Sequence, residues 1–356
     1  MNNRLNEFRV SNDAVDDGEE LRRRLDEEGY LFIKKLQDPD KLLALRQDIM
    51  QVIRTGCWLI EGTDPMAGIA DAAKQCTEPD IEYPAVYHEM YKLESFHRAG
   101  HWPEVMQMME KVIGGPVLSH PQKIARLWFP KYTAHTTPIH QDFVHFQGVY
   151  DSYTCWAPVG DCPAELGGLA VLPGSHKINA IHDHHFSLGA GGLAINQEEL
   201  NDNWVTTDYE TGDSLIFHSL TVHQALPNVT EDRLRVSLDN RYQSTRLPIA
   251  EHMLQPHLSG IYPFGWEEVY KDWTSTDLQY YWKDMDLEVL PTIEDFGANG
   301  FVEALELAGH GDEHAIHHLK RLIKRDPACE RAQRAEDVLN NQSDHPEAVA
   351  VNPQDT

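Results

Sequence analysis

His140 and Asp142 stand one residue apart in "TPIHQDFVHFQG" (137–148), a stretch that otherwise reads as a β-strand. Alternate side chains of a strand face opposite ways. His140, Asp142, Val144 and Phe146 then share one face, and Gln141, Phe143, His145 and Gln147 share the other. By the strand rise the first two lie roughly 7 Å apart. An imidazole and a carboxylate so placed can occupy two sites on one metal ion, two legs of the 2-His-1-carboxylate facial set that suits Fe(II). On this reading His145 points away and makes a poor third ligand. The chain carries 20 histidines, and His310 and Asp312 repeat the same spacing between helix-like segments. The pair therefore needs a third ligand from elsewhere in the chain.

"GDSLIFHSLTVHQALPN" (212–228) offers His218 and His223, which one continuous strand would turn to opposite sides. His223 lies just before the turn-like "ALPN". Arg235 follows on the next strand, and Arg233 shares its parity. A metal ligand near one strand end and a guanidinium on its neighbour could bracket a small dicarboxylate, the oxo-acid end on the metal and the far carboxylate in the fork.

Side chains so far apart in sequence meet only if strands carry them. Short alternating runs at 123–129, 139–147, 152–159, 168–172, 214–222 and 233–243, separated by Gly, Pro and Asp, predict an all-β sandwich or jelly roll. Residues 177–204, with "HDHH" (182–185) and "GAGG" (189–192), interrupt the pattern as an inserted loop or lid. The "HDHH" cluster and His176 read as solvated loop histidines. Ahead of the strands, helices fit 15–29, 38–54, 84–98 and 102–113, with a short strand at 30–36 and a long loop at 57–83. The expected organisation is an N-terminal helical region (1–113) integral to the domain, a core at 114–247, and a mostly helical extension at 248–340. That extension holds helices at 300–308, 313–325 and 328–340, and 341–356 reads as a disordered tail.

A net charge of −27 excludes the basic surface that nucleic acid demands and disfavours anionic membranes. A local basic pocket for an anionic substrate stays compatible with it. No apolar run reaches the roughly 18 residues of a membrane span, and the polar, acidic N-terminus lacks the features of a secretory signal. A cytoplasmic protein, monomeric or homodimeric, is expected. The five scattered cysteines form no CxxC pair and read as reduced thiols.

"HQD" (140–142), "YTCWAPV" (153–159), "GGLAVLPGSHK" (167–177), "GDSLIFHSLTVHQALPN" (212–228) and "RLRVSLDNRYQ" (233–243), in this order, resemble the phytanoyl-CoA dioxygenase-type Fe(II)/2-oxoglutarate oxygenases. The resemblance spans roughly 20–245 and leaves the last hundred or so residues unassigned. It implies a double-stranded β-helix (jelly-roll, cupin-like) core with flanking helices. It makes His140, Asp142 and His223 the iron ligands and Arg235 the anchor of the 2-oxoglutarate distal carboxylate. Trp156 falls where the family packs an aromatic beside the cosubstrate, Asn228 matches a family asparagine, and Arg126 faces the pocket from the strand before the triad. Gly167 and Gly168 match a tight turn. The implied cofactors are Fe(II), 2-oxoglutarate and O2, and the implied reaction is hydroxylation of an unactivated C–H bond of a small molecule, with succinate and CO2 released. Related halogenases replace the acid by a small residue, so Asp142 favours hydroxylation; desaturation or rearrangement by the same oxidant stays open. The rival class is a non-catalytic jelly-roll ligand-binding protein.

Overall fold

The computed structural model describes residues 5–343. Strands and helices are numbered along the chain. A smaller sheet holds β1 Asn6–Glu7, β6 Leu169–Val171, β9 Val205–Thr206 and β11 His223–Ala225, in the order β1-β9-β6-β11. A larger sheet holds β2 Tyr30–Ile33, β3 Val117–Ser119, β4 Ile124–Trp128, β5 Ser152–Pro158, β10 Ser214–His218 and β12 Arg235–Ser244. Its order is β2-β10-β5-β12, with β3 and β4 both pairing along the free side of the ten-residue β12. Two short pairs, β7 His185–Phe186 with β8 Leu193–Ala194 and β13 Ile249–Ala250 with β14 Val289–Leu290, lie outside both sheets. Among the described residues the two sheets stay open and do not join into a closed barrel.

Five helices precede the main strands: α1 Gly18–Glu28, α2 Pro39–Thr55, α3 Pro84–Tyr91, α4 Glu94–Ala99 and α5 Pro103–Ile113. A single turn, α6 Phe143–Phe146, interrupts the strands, and α7 Trp266–Tyr270, α8 Asp295–Gly309, α9 Glu313–Arg325 and α10 Glu330–Ser343 follow them. Local chemistry sets the helix ends. Asp17 accepts the Glu19 and Glu20 N–H groups at the start of α1, and Gly29 closes it at φ +79°. Asp38-Pro39 starts α2 the same way, with proline where no N–H is needed.

Burial then stacks the elements in layers. Leu21 and Leu25 of α1 and Met108 and Met109 of α5 pack on Leu31, Cys155 and Ile216, on the outer face of the larger sheet. Side chains this buried contribute roughly 1.5–3 kcal/mol each. The helices α2, α3, α4 and α7 cover Ala125, Leu127, Val236 and Leu238 farther along the same face. On the inner face, Phe32, Trp156 and Phe217 meet Val171, Val205 and Ala225 of the smaller sheet. The smaller sheet's far side is packed by Ile139, Ile195 and Trp204. Among the described residues no helix is long and apolar enough to cross a membrane.

Four expectations change. The run 139–147 is not a strand: only His140 bridges to His223, and the chain turns helical at Asp142, whose carbonyl accepts the His145 and Phe146 N–H groups. The run 214–222 breaks after His218, where Thr221 N–H returns to the His218 carbonyl and carries the chain from the larger sheet to the smaller. The helix at 84–98 is two helices, separated at Lys92 and Leu93. Residues 177–204 contain the β7–β8 hairpin and bury Leu188, Ala190, Leu193 and Ile195. Of the expected tail at 341–356, the first residues finish α10 and 344–356 lie outside the described residues.

Candidate active site

The β11 backbone fixes the first imidazole pair. His140 and His223 exchange both backbone hydrogen bonds, at 2.9 and 3.0 Å, which sets their rings 4.2 Å apart between centroids. Each ring Nδ1–H donates to a carbonyl two residues back, Pro138 O at 2.8 Å and Thr221 O at 2.9 Å. That choice of tautomer leaves both Nε2 lone pairs free to bind a metal. Both point at Asp142 Oδ1, at 3.4 Å from His140 and 3.5 Å from His223. The three ligand atoms lie within 4.8 Å of one another and all three residues are buried.

Charge and hydrogen bonds prepare the carboxylate. Burial alone would raise the Asp142 carboxyl, but Arg241 and the two imidazoles outweigh it and hold the group well below the usual carboxylate range. Thr154 Oγ1–H donates to Asp142 Oδ2, and Arg241 Nη2 stands 3.6 Å from the same oxygen. Burial pushes the His140 imidazole down, with the His223 ring adding to it, so the ring stays neutral as a ligand must. Two imidazole nitrogens and one carboxylate on one side of a point match the donor set and softness of Fe(II).

A buried guanidinium lines the same cavity. Arg235 heads β12 and is 1 % exposed, with its Nη1–H on the Gly167 carbonyl at 2.5 Å. Its Nε is buried with no partner, and among the described residues it forms no ion pair. Burial pulls its pKa down to about 10, so it stays charged at neutral pH. An uncompensated buried cation beside a metal-ligand set fits the far carboxylate of a dicarboxylic acid. Arg233, the alternative of equal parity, is turned outward to Glu165 at 3.0 Å. Trp156, 2 % exposed, walls the cavity with its ring centroid 6.0 Å from the Arg235 guanidinium carbon. Arg126 also lines it, already held by Glu78 at 2.8 Å and Asp239 at 3.4 Å.

Other predicted positions fall elsewhere. Asn228 does not line the cavity; its amide donates to the Trp128 and Arg233 carbonyls and accepts from Thr230, so it braces the loop before β12. His218 lies by Tyr153 and Asp151, away from the ligand group. His310 ends α8, and Asp312 caps α9 through the Ala315 N–H. In "HDHH", His184 accepts the Gln141 N–H and His185 meets Glu303, and among the described residues no second cluster of metal-binding side chains forms.

His145 was misread. Because Asp142 begins a helical turn, His145 three residues on faces the same side, 5.4 Å from the His140 ring, with its Nε2 buried and unpartnered. Thr154, Asp239 and Arg241 were also missed. Their signal was present: Arg235, Ser237, Asp239 and Arg241 alternate along β12, and Asp239 and Arg241 pair with Trp156 and Thr154 of β5.

The phytanoyl-CoA dioxygenase (PhyH) family profile matches residues 25–236. The chain is 25 % identical to 1-deoxypentalenic acid 11-beta-hydroxylase of Streptomyces exfoliatus over 257 residues, covering 68 % of this chain and 87 % of that protein. It is 26 % identical to the peroxisomal phytanoyl-CoA dioxygenase of Mus musculus, covering 60 % of this chain and 64 % of that protein. Among solved structures, the epimerase SnoN in complex with Fe3+, alpha ketoglutarate and nogalamycin RO is similar with a TM-score of 0.47 and 18 % identity, over 65 % of this chain and 85 % of that one. The apo non-heme monooxygenase ThoJ is similar with a TM-score of 0.47 and 15 % identity, over 90 % of this chain and 99 % of that one. The family match and the buried His-Asp-His group agree: the chain belongs to the phytanoyl-CoA dioxygenase (PhyH) family, as an iron- and 2-oxoglutarate-dependent oxygenase.

Proposed function

We propose that the chain hydroxylates an unactivated C–H bond of a small molecule while 2-oxoglutarate is converted to succinate and CO2. One observation carries this reading: the His140, Asp142 and His223 ligand atoms lie within 4.8 Å of one another, in a cavity that also holds the unpaired, buried Arg235. A hydroxylase, 25 % identical, is among its relatives. We read the two facing sheets as the halves of a jelly roll with the site between them.

When bound, the iron and 2-oxoglutarate supply the oxidising power by activating O2. The protein's part is positional. His140 and His223 would hold the metal through Nε2, and Asp142 would add the charge that Thr154 and Arg241 stabilise. Because the three donors cluster at one point of the cavity, a metal held there would keep room for the cosubstrate and O2. Arg235 grips the far carboxylate and Trp156 walls its path. Arg126, fixed by Glu78 and Asp239, holds the cavity wall at a set position. An adjoining chamber of about 170 Å³, which shares His140 and Asp142 with this cavity and is also lined by His145, Gln122 and Phe146, takes the substrate carbon.

Mixing the protein with Fe(II) and 2-oxoglutarate under nitrogen is expected to produce a weak visible charge-transfer band, and admitting air to release succinate. Neither signal appearing, or full activity in Asp142→Ala, would refute the assignment.

A further inference from the structure

The chamber beside the ligands is not closed by the sheets alone. Glu78 and Gly191 wall both that chamber and an adjoining cavity of about 270 Å³, formed between the β7–β8 hairpin and α8–α10. Apolar side chains line much of the outer cavity, among them Phe186, Leu188, Leu193, Phe301 and Leu322. Three arginines, Arg321, Arg325 and Arg331, line the same cavity. In a chain of net charge −27, three arginines converging on one cavity run against the composition.

Their charges are poorly compensated. Arg321, 9 % exposed, donates through Nε to Asp80 at 2.7 Å and faces His135 Nδ1 through Nη1 at 3.2 Å. Its Nη2 is buried with no partner. Arg325 and Arg331 form no ion pair among the described residues, and Arg331 lies over the Phe301 ring at 5.4 Å. Glu78, the one carboxylate in the wall, is held by Arg126 at 2.8 Å. A half-enclosed cavity whose wall mixes apolar carbon with the half-buried Arg325 and the exposed Arg331, neither with a counter-ion among the described residues, suits a ligand that is part apolar and part anionic.

We propose that the substrate is an amphiphilic anion. Its oxyanion headgroup docks against Arg321, Arg325 and Arg331, and its apolar body runs along Leu193 and Phe301 past Gly191 towards the inner chamber. That the inner end is where oxidation occurs rests on the oxygenase reading above; the anion site stands on the outer cavity alone. The arginines lie beyond residue 236, outside the segment that matches the family.

Calorimetric titration of the full chain, loaded with Fe(II) and 2-oxoglutarate under nitrogen, tests it with octanoate, octyl phosphate and 1-octanol. At least one anion should bind about tenfold tighter than the alcohol, and the tighter anion identifies the headgroup as carboxylate or phosphate. The double variant Arg325→Gln/Arg331→Gln should erase the preference. Lys324→Gln, an equal loss of charge at a residue paired outward with Glu82, should keep it. Equal affinity for all three probes, no binding of either anion, or a preference that survives the double variant would overturn the proposal. Succinate release in air from the same preparation reads the oxygenase assignment separately. Succinate formed without an anion preference sinks this proposal alone, and a preference without succinate sinks that assignment alone.

Discussion

Asp142 is where the residue-scale chemistry concentrates. Four side chains address one carboxylate: His140 and His223 through Oδ1, Thr154 and Arg241 through Oδ2. Groups that orient a metal ligand typically account for a factor of about 10–100 in metal affinity. Thr154→Val keeps the shape and removes the donor, so Fe(II) affinity should fall within that range in an anaerobic titration, with the fold intact by circular dichroism. Arg235 makes the opposite case. Its charge is buried without a counter-ion, so Arg235→Gln should leave the melting temperature unchanged or raise it. The same change should raise KM for 2-oxoglutarate by about tenfold or more, the worth of a charge-assisted hydrogen bond. A lower melting temperature with an unchanged KM would make Arg235 a structural residue.

At the scale of elements, β12 and the turn at Gly167 align the site. Gly167 has φ +84° and its carbonyl receives Arg235; a Cβ there would meet Leu226 O at 2.3 Å. Gly62 has the same φ of +84° with nothing within 4 Å. Gly62→Ala should therefore cost only the backbone strain of about 1–2 kcal/mol. Gly167→Ala should cost clearly more in urea denaturation and also weaken 2-oxoglutarate binding. This contrast marks what was legible in the sequence. The period-2 pattern located β4, β5, β10 and β12, and capping residues located α1 and α2, because those signals are local. The reversal at Asp142 was not legible. Phe143, Val144 and Phe146 are all buried and all favour strands, so local propensity gave no warning that the ladder had ended. His145 was assigned to the wrong side for that reason. The step from β10 to β11 was hidden in the same way, since "SLTV" between His218 and His223 has good strand propensity and turns only because Thr221 bonds back. The arginine-lined cavity was beyond reach, because it joins residues near 80, 190 and 320.

For the whole molecule, buried histidines set the acid limit of stability. Burial pushes His97 and His120 down to about 3, and both are almost fully enclosed. The unfolded chain protonates them near 6.5, and the folded chain does not until far lower pH. Their contribution is full above about 6.5 and is lost as pH falls from there towards 3. At pH 5 each should have cost about 2 kcal/mol of stability. Urea midpoints at pH 7 and pH 5 should thus differ less in His97→Gln and His120→Gln than in the parent chain; an unaltered pH slope would refute the account. The C-terminal helices carry another consequence. α8–α10 have a core of their own, from Phe301, Ala304, Leu319 and Leu322, and tie to the body through Glu303, Arg321 and Lys324. The oxidising centre and the arginines are thus written on separate lengths of one polypeptide, so a graft after Leu290 is a natural place to transplant molecular taste: the recipient's iron chemistry should survive, and the mass spectrum of its products should follow the donor of the helices.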